Sequence, residues 1–415
     1  MRTQARARRR KKIRATLVFL IIFALGVFAG VNIYTALSTP AGNGETSNNS
    51  SNVIYPYPPG GVTTYPPDTG YNANNSGDEL TLTKPSYMSG GGRHELPVNG
   101  ASGFAAIPLQ VWAEPTTSSA IVLSLDAGQG FTIISESGSW WNVAVENNTG
   151  WVMHRYCFIN LPDVVPSIVF NITNAYSSVM RASSFDIPNI TGHTLYQAHG
   201  FNERLAKDEF IVPVLYLMAP RIASAQQYAL ADGNTLIVYE AFRPMSVQQR
   251  VVNQMFRLME DNPVVEEGVT TEPWNLAWFI NTGISNHQRG VAIDVSLGQV
   301  VAAKTVSTGG HEFLRITEYI EFEMQTEMHE LSMASAIFTS PVSVNSTTAW
   351  RDAELTANVT YGTLLLKEYC TRAGLLPLAS EWWHFNYLPG VRATEAFGVT
   401  GNFYIERIYS IPPQF

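Results

Sequence analysis

Residues 285–294 read Ser-Asn-His-Gln-Arg-Gly-Val-Ala-Ile-Asp, and this stretch decides how the C-terminal half of the chain folds. Gly290 allows the backbone to turn tightly after His287. The residues after Gly290 alternate between apolar and small or polar side chains, which is typical of a half-buried β-strand. The apolar residues from 291 to 295 would face a core, and Asp294 would lie on the opposite face among small side chains. The stretch predicts a turn and a strand that present an imidazole and a carboxylate next to open space.

Two further segments carry groups that match this chemistry. Residues 381–384 read Glu-Trp-Trp-His, and residues 240–244 read Glu-Ala-Phe-Arg-Pro. A catalytic zinc ion takes three protein ligands and keeps one position open. His287, Asp294 and His384 can supply three ligands, which predicts one Zn²⁺ per chain. The carboxylate at residue 381 is then free to act as a general base toward water.

The spacing of the last segment raises a geometric question. Glu381 and His384 lie three positions apart in a run that reads as a strand. On a regular strand, side chains three apart point to opposite faces. A β-bulge or the start of the strand near Trp382 would bring both side chains to one face.

The three segments together resemble the zinc D-alanyl-D-alanine metallopeptidases, a family that includes D-Ala-D-Ala dipeptidases and D,D-carboxypeptidases. Its patterns S-x-H-x-x-G-x-A-x-D and E-x-W-H are both complete here, and the likeness covers residues 170–395. The resemblance implies that His287, Asp294 and His384 bind zinc and that Glu381 is the general base. It also implies that Arg243 stabilises the tetrahedral oxyanion and that Ser285 binds the substrate.

The position of Arg243 is consistent with the role that the resemblance implies. It follows a predicted buried strand at 235–239, and a rigid strand end is a good place to present a catalytic group. A fixed donor aimed at a developing oxyanion contributes about 3 kcal/mol to catalysis.

One segment departs from the family pattern. Dipeptidase members carry Met-Gly-Ser/Thr-x-Phe-Asp, whose Asp binds the free amino terminus of the substrate, whereas residues 324–330 here read Met-Gln-Thr-Glu-Met-His-Glu. His329 takes the place of that Asp and is predicted to contact the substrate. A peptide-extended substrate is then favoured over the free dipeptide, unless Glu327 or Glu330 supplies the missing charge.

The N-terminal region predicts attachment to a membrane. Residues 1–14 hold eight Lys or Arg, and residues 15–34 are uncharged and apolar. This pattern predicts a cytoplasmic basic segment and a single transmembrane anchor, with the rest of the chain outside a bacterial cell membrane. A cleaved signal peptide is the alternative. Residues 35–100 are rich in Ser, Asn, Gly and Pro, which predicts a disordered linker.

Residues 101–162 predict a small all-β unit of short strands at about 111–115, 121–125, 131–134, 140–143 and 149–152. The order of its turns and tryptophans resembles a bacterial SH3-like cell-wall domain, whose expected partner is the peptide of peptidoglycan. A packing module that only spaces the enzyme is the alternative.

Residues 165–415 predict an α+β peptidase domain, with helices at about 222–231, 247–259 and 362–372. Cys157 and Cys370 are predicted to be free, buried thiols.

Charge and motifs exclude some classes of partner. The chain carries 26 basic and 34 acidic residues, and removing the eight basic residues of the N-terminus leaves 18 against 34, or −16. Such a surface does not attract polyanions, and no phosphate-binding or nucleic-acid motif is present.

The sequence therefore predicts zinc-dependent hydrolysis of D-Ala-D-Ala bonds, in a peptidoglycan stem peptide or in the free dipeptide. Two alternatives stay open: an endopeptidase that cuts another bond of the stem peptide, and an inactive protein that only binds the cell wall.

Overall fold

A computed structural model describes residues 82–414, except for the side chain of Tyr176. All of these residues belong to one compact unit. The predicted cytoplasmic segment and anchor, and the linker up to residue 81, lie outside the described residues. Within residues 82–414, no helix is long and apolar enough to cross a membrane.

The eighteen strands and eight α-helices of the described part are numbered here in chain order. The strands are β1 Ser102–Ala105, β2 Leu109–Trp112, β3 Ile121–Leu125, β4 Gly130–Ser137, β5 Trp140–Val145, β6 Asn148–Met153, β7 Cys157–Asn160, β8 Val169–Phe170, β9 Arg181–Ala182, β10 Phe185–Asp186, β11 His199–Asn202, β12 Lys207–Phe210, β13 Pro213–Leu215, β14 Asn234–Glu240, β15 Ala292–Thr308, β16 His311–Glu321, β17 Leu376–Leu378 and β18 Glu381–Asn386. The helices are α1 Ser86–Ser89, α2 Leu161–Val164, α3 Thr173–Tyr176, α4 Ala219–Ala231, α5 Met245–Asp261, α6 Pro263–Thr270, α7 Tyr361–Arg372 and α8 Leu388–Phe397.

The first sheet has eight strands in the order β13-β7-β1-β4-β5-β6-β2-β3. Strands β3 to β6 form where the sequence predicted them, β2 begins two residues earlier than expected, and β1, β7 and β13 were not predicted. In β5 every second side chain is buried, as expected for a strand with one face on a core. The hairpin from β4 to β5 turns at Gly138, whose φ of 58° suits a two-residue turn.

This sheet does not end with the predicted all-β unit. Strand β13 pairs with β7, so hydrogen bonds cross the predicted boundary at 162–165. The C-terminal tail also returns to the sheet, where Ile411 donates its N–H to the carbonyl of Gly100. The likeness to an SH3-like domain stays a prediction.

The predicted linker extends too far in sequence. Leu96 is fully buried, and the carboxylate of Glu95 accepts a hydrogen bond from the backbone N–H of Ser167 at 3.0 Å. Residues 94–98 therefore belong to the folded body, and the prediction of a disordered linker up to residue 100 was wrong at its end. The low-complexity composition stops before this segment, which supplies apolar and hydrogen-bonding side chains to the core.

The second sheet carries the candidate site and has the strand order β17-β18-β15-β14-β8, with β16 also paired to β15. All residues of β14 and β18 are buried. Helix α4 packs against β14 and against α7. The predicted helices are confirmed, with ends that lie at most three residues from those expected.

The register of this sheet places three predicted motifs side by side. Asp294 of β15 pairs with Glu240 of β14 on one side and with His384 of β18 on the other. On the β14 side, the register shifts between Val238 and Glu240, so a bulge at Tyr239 brings Glu240 level with Asp294.

The predicted turn before β15 is also confirmed. Gly290 has a φ of 64°, and a Cβ atom at this position would lie 2.7 Å from the ring of Phe158 and 3.0 Å from the backbone nitrogen of Leu215. Cys157 and Cys370 are both free and buried, as predicted.

Candidate metal centre

Two nitrogen atoms and one oxygen atom converge at the centre of the second sheet. His287 Nε2 lies 3.2 Å from His384 Nδ1 and 3.4 Å from Asp294 Oδ1, and His384 Nδ1 lies 3.0 Å from the same Asp294 oxygen. All three side chains are buried. The ligands predicted from the sequence are therefore brought together in the fold.

Hydrogen bonds on the far side of each ring decide which nitrogen faces the centre. His287 Nδ1 lies 2.7 Å from the carbonyl oxygen of Ala241, which can only accept. His384 Nε2 lies 3.0 Å from Asn386 Oδ1, and that oxygen also accepts from Asn286 Nδ2 at 2.8 Å. Each ring thus donates its proton outward and turns a lone pair inward, which is how metal-binding histidines are usually held.

The arrangement fits a zinc ion. Two nitrogen lone pairs and a carboxylate oxygen meet with no proton between them, so a cation is needed to hold them together. Ligand atoms about 2.0–2.1 Å from a tetrahedral zinc lie roughly 3.3 Å apart, and the observed separations of 3.0–3.4 Å match one face of such a tetrahedron. These are the residues that would hold the metal, and three protein ligands would leave its fourth position for water or substrate.

Glu381 lies beside this triangle without being part of it. Its Oε2 is 3.6 Å from His384 Nδ1. The pairing of β17 with β18 jumps from Phe385 directly to Glu381, so the strand is irregular between these residues. This irregularity answers the geometric question raised by the sequence, because it brings Glu381 and His384 to one side. Burial raises the pKa of Glu381 to about 8, and a divalent cation bound beside it would oppose this rise and favour the carboxylate form that can accept a proton.

Arg243 is held rigidly next to the centre. Its Nε donates to Glu240 Oε1 at 2.8 Å, its second terminal nitrogen contacts the other oxygen of Glu240, and its first terminal nitrogen donates to Gln248 Oε1 at 2.6 Å. Its guanidinium lies 3.7 Å from Asp294 Oδ2. Burial opposes the charge, but the Glu240 carboxylate keeps the pKa of Arg243 above its ordinary value. A preorganised cation of this kind suits a developing negative charge.

His329 lies on the outer side of Asp294. Its Nε2 is 3.2 Å from Asp294 Oδ2, and its ring packs edge-on against Trp383. Burial alone would raise the pKa of Asp294, but when no metal is bound a protonated His287 and hydrogen bonds from the surrounding histidines would hold that pKa well below its ordinary value. The predicted substrate contact of His329 stays a prediction, and its observed partner is Asp294, a candidate metal ligand.

A second cluster of possible ligand atoms comprises Glu240, Asp294 and His329. Both oxygens of Glu240 are already engaged by Arg243. A metal ion here would also sit next to the guanidinium, so the cluster supports Asp294 and is not a second metal site.

Ser285 lies in the turn that precedes His287 and is half-buried. Its backbone N–H donates to Gln288 Oε1 at 2.7 Å. Its Oγ is buried and has no hydrogen-bond partner among residues 82–414, and the substrate contact that the resemblance implies stays a prediction.

Sequence reasoning missed three supporting residues. Glu240 lies in the quoted segment 240–244, three positions before Arg243, and this spacing was the available signal. Gln248 and Asn386 hold Arg243 and His384 respectively, and no motif in the sequence pointed to either.

Comparison with known proteins agrees with this geometry. The sequence model of the family described as D-Ala-D-Ala dipeptidase matches residues 189–396, about half of the chain. The match includes every site residue named above, from Glu240 to Asn386. No curated protein matches the chain.

Proposed function

The chain belongs to the D-Ala-D-Ala dipeptidase family of metallopeptidases, and from this premise we propose that it is a zinc-dependent hydrolase of D-Ala-D-Ala bonds in peptidoglycan stem peptides or in the free dipeptide. The observation that carries the proposal is the triangle of His287, His384 and Asp294. Both histidine rings donate a proton to an acceptor outside the triangle. Glu381 lies beside the triangle.

Zinc in this position would supply Lewis-acid polarisation of the substrate carbonyl and would make water more acidic. Glu381 is the proton carrier. It is close to the ligands but is not one of them, so its carboxylate can take a proton from the attacking water and deliver it to the departing amine.

Arg243 is the group that stabilises the negative charge formed on the carbonyl oxygen. Its Nε and both terminal nitrogens are already fixed by Glu240 and Gln248, so little reorganisation is needed when the charge appears. Ser285, with its unpaired hydroxyl, would help to hold the substrate.

The surroundings of His329 support a substrate that continues on its amino side. Its Nε2 faces Asp294, so this position offers no carboxylate to a substrate ammonium group. Desolvating an unpaired ammonium group costs several kcal/mol, whereas an acylated or peptide-extended substrate carries no such charge there. Stem peptides ending in D-Ala-D-Ala are therefore the favoured substrates.

We also propose that the peptidase works outside the bacterial membrane, attached through residues 15–34, and that residues 101–162 bind the cell wall. Both proposals come from the sequence pattern alone. The complete set of ligands and base argues against the alternative of an inactive wall-binding protein.

The test is mass spectrometry of purified muropeptides incubated with the zinc-loaded protein. Release of one D-alanine from pentapeptides ending in D-Ala-D-Ala is expected, at a higher kcat/KM than for the free dipeptide. Glu381→Gln is the matched control, because it changes one oxygen to nitrogen and leaves the ligands in place. Cleavage at another bond only would support the endopeptidase alternative, and equal turnover by the control would refute the proposed mechanism.

A further inference from the structure

A cleft of about 630 Å³ is lined in part by the loop that carries His329. Its walls are the loop at 325–334, the turn between β9 and β10, and helix α6. None of the metal-centre residues named above lines this cleft. It is therefore a separate feature of the surface.

The floor of the cleft contains a buried carboxylate that lacks a partner. Glu330 is only 6% exposed. Its Oε2 accepts the backbone N–H of Ser184 at 3.0 Å, but its Oε1 has no hydrogen-bond partner among the described residues. A buried charged oxygen without a partner is costly, so the site is incomplete as it stands.

The local charge in the cleft is negative. Three glutamates, Glu267, Glu327 and Glu330, and one arginine line the walls. That arginine, Arg181, is engaged by Asp186 at 2.8 Å and by Glu327. No cation among the lining residues is left for Glu330, so the cleft favours a positively charged ligand.

The number of free oxygens on the Glu330 carboxylate indicates which kind of cation fits the cleft. The three glutamates do not converge as a metal-binding group among residues 82–414, which argues against a metal ion. A guanidinium prefers both oxygens of a carboxylate, and one oxygen of Glu330 is already used by Ser184. A primary ammonium group needs only one oxygen. Val264 and Met333 add apolar surface to the same walls, which suits an alkyl chain.

We propose that this cleft binds a primary ammonium group carried on a short alkyl arm, with Glu330 as its carboxylate partner. Trp382 Nε1 donates to Thr326 Oγ1 at 2.9 Å, so one wall is tied to the strand that carries Glu381 and His384. An amine-bearing side chain of the peptide substrate is one source of such a group, and this identification rests on the proposed function. A free alkylamine is the other source, and its binding does not depend on that function.

The experiment is a calorimetric titration of the full-length, zinc-loaded protein with three probes: n-butylamine, Nα-acetyl-lysine methylamide and Nα-acetyl-norleucine methylamide. The two amines should bind, and the norleucine compound, which lacks the ammonium, should bind about 10- to 100-fold more weakly, the range for one charge-assisted hydrogen bond. Tighter binding of the lysine compound than of butylamine would identify a peptide ligand, and equal binding a free amine.

Glu330→Gln should weaken amine binding by the same factor. Glu395→Gln is the matched control, because this carboxylate is exposed, is paired with Arg289 and does not line the cleft, and it should change the affinity by less than about twofold. Equal affinity for the lysine and norleucine compounds in the unmodified protein overturns the proposal, even if Glu330→Gln fails to fold. Unchanged binding by folded Glu330→Gln also overturns it. Because no hydrolysis is measured, neither result bears on the peptidase proposal.

Discussion

Replacing His329 tests whether metal affinity depends on a residue that does not bind the metal. His329 Nε2 holds Asp294 Oδ2 at 3.2 Å, and the guanidinium of Arg243 lies 3.7 Å from the same oxygen. With Oδ2 held, Oδ1 is aimed at the two ligand histidines. Loss of a hydrogen-bond partner of a ligand costs about 10- to 100-fold in metal affinity, or about 1.4–2.7 kcal/mol.

The assay is competition for zinc against a chromophoric chelator at pH 7.5. His329→Ala removes the partner and should weaken zinc binding by the stated factor. His329→Gln retains an N–H donor and should lose less. Both variants keep the left-handed backbone at residue 329, where φ is 60°, so the strain of that conformation is common to both and does not affect their comparison.

His193→Ala provides the control, because His193 is exposed and should leave zinc affinity unchanged. Wild-type affinity in His329→Ala, or a loss no larger than in the control, would refute the view that His329 orients Asp294. A loss as large in His329→Gln as in His329→Ala would show that packing of the ring matters and the hydrogen bond does not.

Three further outcomes are expected. The double variant His287→Ala/His384→Ala should retain no stoichiometric zinc by elemental analysis, since one of three ligands remains; retention of one zinc per chain would contradict the ligand assignment. Glu381→Gln should keep wild-type zinc content while kcat falls by at least about 100-fold, the contribution of a general base; a near-normal kcat would contradict its role. Burial raises the pKa of Glu95 from 4.5 to about 7, so between these values the folded protein holds a proton that the unfolded chain has lost. The free energy of unfolding should then fall by up to about 3 kcal/mol as pH rises from 4.5 to 7, and urea titrations of Glu95→Gln should show a weaker fall.

Local patterns in the sequence were sufficient to predict the elements that build the site. The alternation after Gly290 predicted the start of β15, and the apolar run at 235–239 predicted β14, because each pattern reflects burial of the strand itself. The two spaced motifs predicted the three ligands, since a metal demands particular side chains at particular positions.

The partners of those ligands could not be predicted in the same way. Asn386 lies two positions after His384 on β18 and therefore on the same face, but no motif marks it as the partner of that ring. His329 reaches Asp294 only through a left-handed turn in a long loop. Such contacts depend on register and on the path of loops, which have no local signature. The end of the linker was misjudged for a related reason, because Glu95 is buried by contacts with residues that lie far away in sequence.

The charges of the centre explain why its parts depend on one another. Glu240, Asp294 and Glu381 bring three buried carboxyl groups to the site, and Arg243 brings one guanidinium. When all are ionised, two negative charges are left in a buried environment, which is costly without a counter-ion. A divalent cation cancels that excess. Glu240 and Arg243 have opposite charges and form a neutral pair. The charges of Asp294 and Glu381 are then the two negative charges that a divalent metal ion would neutralise. Removing either one leaves the ion in a centre of different net charge, so substitutions here will combine non-additively.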